Sequence, residues 1–139
     1  MSRFVIDASI VLIWCFPDER SPLADHVAER FQHGDVAIAP SFWPHEVLNG
    51  LLAGEKRKRI SVALIHKFLS DLATLPIDLQ YSSTSDVFDV THVLSRKHNL
   101  TAHDAAYLGL AIATGFPLAT LDYHLARECE KAGVSLIKE

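Results

Sequence analysis

The sequence predicts a single α/β domain over residues 1–139, with a five-stranded parallel sheet flanked by helices on both faces. Short, largely apolar runs recur between amphipathic stretches, as strands of a sheet covered on both faces do. Strands and helices alternate along the chain, so the connections read as helical crossovers of a parallel sheet. A hydrophobic fraction of 49% over 139 residues is enough for one real core, and no repeat, linker or low-complexity segment divides it.

In chain order, Arg3–Ile6 reads as the first strand, followed by a helix opened by Ser9 and stopped near Pro17. Ser21 is placed as an N-cap with Pro22 at the first helical position; Leu23, Val27 and Phe31 share a face, and Gly34 ends that helix. Val36–Ala39 is the second strand. A helix beginning near Trp43-Pro44 carries the stripe Val47, Leu48, Leu51 and Leu52, with Glu46 in its first turn. Ser61 to Thr74 repeats apolar residues at Val62, Ile65, Phe68, Leu69 and Leu72, and Pro76 ends it. Ile77–Tyr81 is expected as the third strand, then a helix from about Ser85 to His98 that Asn99 can terminate in a left-handed conformation. Thr101 can cap the next helix, whose small apolar face is Ala105, Leu108, Ala111 and Ile112 before Gly115. Leu118–Leu121 is the fourth strand, Tyr123 to Ala132 the last helix with Gly133 as its stop, and Val134–Ile137 the fifth strand.

The net charge of −4 argues against a protein that coats nucleic acid or an anionic membrane through overall charge, while leaving room for a local basic groove. The N-terminal apolar stretch is broken by Asp7 and by Pro17-Asp18-Glu19, too early for a membrane span or signal peptide, so a cytoplasmic location without membrane contact is expected. Cys15 and Cys129 have no metal-type or redox-type spacing and read as small buried hydrophobes.

Four acids stand where folding has little use for a charge. Asp7 ends Phe4-Val5-Ile6, Glu46 lies in WPHEVLNGL, Asp104 in LTAHDAAYLGLAIA, and Asp122 closes Pro117-Leu118-Ala119-Thr120-Leu121. Ligands of open parallel sheets bind beyond the carboxyl ends of the strands, where Asp7 and Asp122 fall; Glu46 and Asp104 fall in first helical turns that can face the same crevice. Crowded carboxylates repel, and hard oxygen donors of this kind suit Mg²⁺ or Mn²⁺. Each acid also has a plain structural reading as a helix cap or a first-turn acid favoured by the helix dipole, so the joint pattern carries the argument.

With these residues in view, the chain resembles the PIN-domain ribonucleases, and among them the VapC-type toxins of bacterial toxin–antitoxin pairs. FVIDASIVLIWCFPDE is similar to the family's opening strand and first acid, APSFWPHEVLNGLL to its second motif, and LTAHDAAYLGLAIATGFPLATLD to its third and fourth. The resemblance implies an endoribonuclease that holds one or two Mg²⁺ or Mn²⁺ ions with Asp7, Asp104 and Asp122, and with Glu46 directly or through water. Ser9 and Asn49 would orient carboxylates or bound waters, and Thr120 beside Asp122 could do the same. It further implies an RNA substrate cut to 5′-phosphate and 3′-hydroxyl ends, an antitoxin partner and a homodimer.

Lys56, Arg57, Lys58 and Arg59 form the one dense basic run, either a grip on RNA phosphates or a solvated helix end whose cations complement the dipole. His45, His103 and His124 flank the acids without a zinc-type spacing and read as helix-face residues. Phe42, Trp43 and Tyr107 are expected in the core, with Trp14 and Phe16 partly exposed beside Asp18-Glu19-Arg20. Competing functions are a PIN nuclease of RNA maturation or decay without an antitoxin, a non-catalytic RNA- or protein-binding module, and a phosphoacceptor receiver. The receiver expects a second acid beside Asp7 and a lysine near Asp122, and neither is present.

Overall fold

In the computed structural model, which describes residues 2–139, the elements follow the predicted order. They are β1 (Arg3–Ile6), α1 (Ala8–Cys15), α2 (Pro22–Gln32), β2 (Val36–Pro40), α3 (Trp43–Lys56), α4 (Val62–Leu72) and β3 (Ile77–Gln80). After these come α5 (Thr84–Asp86), a π-helical turn (Val87–Thr91), α6 (His92–His98), α7 (Ala102–Thr114), β4 (Leu118–Ala119) and α8 (Tyr123–Lys131). The sheet is parallel throughout, in the order β3-β2-β1-β4. Strand order reverses at β1, so the crevice between the ends of β1 and β4 is the place where such a sheet opens to a ligand.

Phe4, Val5 and Ile6 of β1 are fully buried, as a central strand covered on both faces requires. Phe31 of α2 meets Phe4 with ring centroids 5.5 Å apart, and α7 packs on β1, β2 and β4. α1 packs against α2 and α3. The fully buried Tyr107, Leu108, Leu118 and Leu125 bring α7, β4 and α8 into the same core. No helix among the described residues is long and apolar enough to cross a membrane.

Four features differ from the sequence reading, each for a physical reason. α1 is capped by Asp7 and begins at Ala8, because the Asp7 carboxylate accepts from the Ser9 backbone N–H; Ser9 lies inside the helix. The sheet has four strands, and Val134–Ile137 contributes only a single parallel bridge, Leu118 with Leu136. β4 is two residues long since the Leu121 N–H, which would continue the ladder, is taken by the Ser9 hydroxyl at 2.9 Å. The expected helix over 85–98 is continuous in direction but contains the π turn, placing an extra residue between Val87 and Thr91.

The loop before α7 is fixed by a buried contact between two helices. His98 Nδ1 lies 3.0 Å from Glu128 Oε1, and Lys131 donates to the other Glu128 oxygen at 3.0 Å. Lys131 and His98 together hold the Glu128 carboxyl below its usual range. Asn99 then takes the left-handed conformation, φ +53°, and His124 Nε2 meets its carbonyl at 2.9 Å. The first turn of α8 is thereby fastened to the residues that start α7.

α3 approaches α1 through Gly50 and Gly54, one turn apart. A Cβ at Gly54 would stand 2.5 Å from the Phe16 ring, which is buried and covered by the Arg59 guanidinium 4.4 Å from its centroid. Phe16 is therefore inside, contrary to the expectation of partial exposure, while Trp14 is half-buried with its indole N–H on the Ala24 carbonyl. At Gly50 the approach is equally close, 2.5 and 2.8 Å, but to the methyls of half-buried Leu12, the far end of a flexible side chain, with its Cγ at 3.2 Å. Replacing glycine by alanine gains about 1 kcal/mol of helix propensity, whereas overpacking costs about 1–3 kcal/mol. Gly54→Ala is expected to lower the thermal midpoint by about 1–2 kcal/mol of stability, and Gly50→Ala to be neutral or slightly stabilising. Thermal melts of the two variants check the contrast, and equal shifts would show that Phe16 yields as easily as Leu12.

Candidate functional site

Asp7 sits at the end of β1 with its carboxylate inside the protein, 6% exposed. Each of its oxygens is occupied. Oδ1 accepts from the Ser9 backbone N–H at 3.0 Å and from the Ser9 hydroxyl, and Oδ2 accepts from the Thr120 hydroxyl. The two hydroxyls each have a second task. Ser9 Oγ accepts from the Leu121 N–H at 2.9 Å, and Thr120 Oγ1 accepts from the Asp122 N–H at 3.0 Å. The end of β1 and the turn leaving β4 are thus joined through one carboxylate.

Burial nevertheless outweighs these donors and pushes the Asp7 carboxyl from 3.8 up to about 6, with the charge of Asp104 adding to the rise. Asp104 lies in the first turn of α7, whose N-cap Thr101 accepts the Asp104 backbone N–H at 3.2 Å. Its own carboxyl is raised by burial first, then by the charges of Asp122 and Glu46. Asp122 is exposed, caps α8 by accepting the Leu125 N–H at 3.0 Å on Oδ1, and keeps its other oxygen free of protein donors. Glu46, in the first turn of α3, accepts the Tyr107 hydroxyl on Oε1 at 2.6 Å and meets His103 Nδ1 on Oε2 at 3.2 Å. Burial, this bond, and the charges of Glu46, Asp7 and Asp104 drive the Tyr107 phenol far above its usual range. The same negative field reaches Cys129, whose thiol burial and Asp7 push up to about 12.

All four predicted acids therefore lie within one electrostatic neighbourhood at the carboxyl end of the sheet, and all four stand at helix starts, where partial positive charge offsets part of their repulsion. Among the described residues no three His, Cys, Asp or Glu side chains are already arranged as a coordination sphere. The reason at Glu46 is visible: Tyr107 and His103 take its two oxygens. The donor set is of the right kind for a hard divalent cation: the carboxyls of Asp7 and Asp104 are raised by burial first and by their acidic neighbours second, and no lysine or arginine among the described residues is paired with any of the four acids.

The other predicted residues divide. Ser9 and Thr120 both bind the Asp7 carboxylate. Asn49 is exposed one turn after Glu46 and hydrogen-bonds to none of the described residues. Lys56, Arg57, Lys58 and Arg59 form the end of α3, where Lys58 turns left-handed with φ +59° and the Arg59 N–H returns to the Gly54 carbonyl. Arg59 is engaged by Asp18, Glu19 and the Phe16 ring. Arg57 and Arg59 both line a groove that also holds Ser9 and Leu121, and Arg57 is exposed there without an ion pair to any described residue. Tyr107 is buried as expected, and its hydroxyl also belongs to the site; its position three residues after Asp104 is the signal for that. His103 likewise reaches the site from a position that sequence alone places on a helix surface, stacking on Phe42 at 4.2 Å.

The model of the PIN domain matches residues 4–131. Ribonuclease VapC3 of Pyrobaculum aerophilum is 29% identical over 126 residues, which cover 91% of this chain and 94% of that protein. In fold, the crystal structure of PAE2754 from Pyrobaculum aerophilum superposes with a TM-score of 0.67 at 17% identity, covering 91% of this chain and 84% of that one. FitAcB from Neisseria gonorrhoeae gives 0.56 at 11% identity, covering 99% and 97%. With the family model spanning nearly its whole length and the parallel sheet in place to support it, the chain belongs to the PIN domain family.

Proposed function

We propose that this chain is a Mg²⁺- or Mn²⁺-dependent endoribonuclease acting as the toxin of a type II toxin–antitoxin pair. The observation that carries the reading is the group of four acids at four helix starts, mutually repelling and without a cationic partner from lysine or arginine. The likeness to Ribonuclease VapC3 supports RNA as the substrate and an antitoxin as the partner. Exposed Tyr81, Phe88, Val90 and Val93 offer apolar surface for a homodimer.

Asp7, Asp104 and Asp122 would hold the cation, with Glu46 completing the set through the oxygen now facing His103 while its other oxygen stays on Tyr107. A bound divalent ion supplies a water of lowered pKa and stabilises charge on the phosphoryl oxygens. The remaining work belongs to the chain. Ser9 and Thr120 keep Asp7 fixed in one orientation, the α7 and α8 starts aim Asp104 and Asp122 at the crevice, and Tyr107 holds the Glu46 carboxylate on the α7 side. Arg57, on the groove that begins at Ser9, would meet a phosphate of the bound strand.

Asp104→Asn is expected to retain a cooperative melt and to lose RNA cleavage by about a hundredfold or more, as chelation does to the wild type. Tyr107→Phe should lower apparent metal affinity by about tenfold. Mapping of 5′-phosphate ends in cellular RNA after brief expression of wild type and Asp104→Asn decides the reading. Ends unique to the wild type support it, and identical profiles with both proteins folded refute it.

The stability of the metal-free protein supplies a separate check. Asp7 has a folded-state pKa of about 6 against 3.8 unfolded, so between these values the folded state binds more protons and stability falls as pH rises. The ionised group then costs about 3 kcal/mol above pH 6. Asp7→Asn removes this cost and keeps a capping oxygen, so its melting temperature is expected to gain on the wild type as pH climbs from 4 to 7. A pH-independent difference in melts would show that Asp7 is not strained by its charge.

A further inference from the structure

Beside the acids lies a second concavity, a pocket of about 300 Å³ between the ends of β2 and β3, the π turn and the start of α7. Its walls include Phe42 and His103, stacked at 4.2 Å and 17°. His103 also touches Glu46, so the pocket and the candidate site share a wall. The rim and floor carry Gln80, Ser82, Val87 and Thr91. The side chains of Gln80, Ser82 and Thr91 form no hydrogen bond with any other described residue, so their amide and hydroxyls are available at the pocket to a group that comes from outside. Val87 and Thr91 begin and end the π turn, a distortion that recurs at functional sites because it redirects side chains.

We infer that this pocket receives one unstacked nucleobase of the RNA strand next to the cleaved phosphate and sets the base preference of the enzyme. The inference rests on the nuclease reading above. A nucleobase needs a flat apolar slot with donors and acceptors at its edge, and unpaired RNA is recognised by this combination of stacking and edge hydrogen bonds. Phe42, His103 and Val87 supply the slot; the Gln80 amide and the Ser82 and Thr91 hydroxyls supply both kinds of partner. No acidic or basic side chain lines the pocket apart from His103, which suits an uncharged heterocycle and not a phosphate. The volume lies at the lower end of the roughly 300–1,000 Å³ that hold small ligands.

The test gives wild type, Gln80→Ala, Ser82→Ala and Val87→Trp a pool of oligoribonucleotides randomised around the cut, with Mn²⁺ present, and sequences the product ends. Val87→Trp, which fills the pocket, is expected to raise KM about tenfold with kcat nearly unchanged, and Gln80→Ala to flatten the base preference at one position beside the cut. Cooperative melts establish that each variant folds, and Gln80→Ala, at an exposed position, serves if Val87→Trp does not. Unchanged KM and preference in an active enzyme overturn the pocket and leave the nuclease reading standing. If the wild type cleaves nothing, the nuclease reading falls, and titration of Asp104→Asn with the four nucleoside monophosphates, followed by amide NMR, still decides the pocket. Shifts at Ser82, Val87 and His103 that vanish in Val87→Trp support it. Their absence, or a Val87→Trp protein that loses only a protein partner, overturns it.

Discussion

The carboxylate of Asp7 is the constraint on which the rest of this end of the molecule depends. Buried at the end of the central strand, it must be satisfied by donors, because an unpaired buried charge costs more than the fold can tolerate. The donors come from two separated parts of the chain, Ser9 and Thr120. Since both hydroxyls also accept backbone N–H groups of the turn 121–122, satisfying Asp7 sets the path of the chain out of β4. That path ends β4 after two residues and starts α8 at Asp122. One buried acid thus determines where a second acid stands.

A similar coupling governs the other pair. α7 begins where it does because Asn99 turns left-handed and Thr101 caps, and His124 ties the same loop to α8. Asp104 and Asp122 are therefore held near each other by contacts that involve neither carboxylate. Their repulsion is a consequence of the fold and not a cause of it, and it adds to the burial that already raises the Asp104 carboxyl. Glu46 is held by side chains on each oxygen, Tyr107 on Oε1 and His103 on Oε2. The fourth acid thus reaches the same neighbourhood from α3, held there by residues of α7.

Much of this was legible in the sequence because the punctuation was local. Ser21-Pro22, Thr101 and Asn99 announce their caps and stops within a few residues, and the buried strands are short apolar runs. What could not be read depends on contacts between distant segments. The length of β4 is set by a hydroxyl more than a hundred residues away in the chain, and the fifth strand shrinks to one bridge against that shortened partner. Phe16 looked exposed beside charged neighbours, yet it is buried because a glycine on α3 makes room and Arg59 covers its ring. The π turn has no signature in VFDVT itself. Tyr107 was half legible: its spacing gave its helix face, but only the fold brings Glu46, sixty-one positions away, to its hydroxyl.

The ambiguity between helix cap and functional acid, unresolved in the sequence, dissolves in the structure because the alternatives are not exclusive. Asp7 and Asp122 do cap α1 and α8, each through Oδ1. Capping requires an acceptor at the N-terminus of a helix that leaves a strand, and the carboxyl end of a parallel sheet is where such starts gather. The preference that places an acid there for stability also places it at the mouth of the crevice. What separates an ordinary cap from a site is then the environment around it. An isolated cap is solvated and lowers its own pKa, whereas Asp7 and Asp104 are raised, by burial first and then by the acids beside them. That reversal of sign, produced where helix starts carrying acids converge at a buried sheet edge, is what sets these acids apart from ordinary caps.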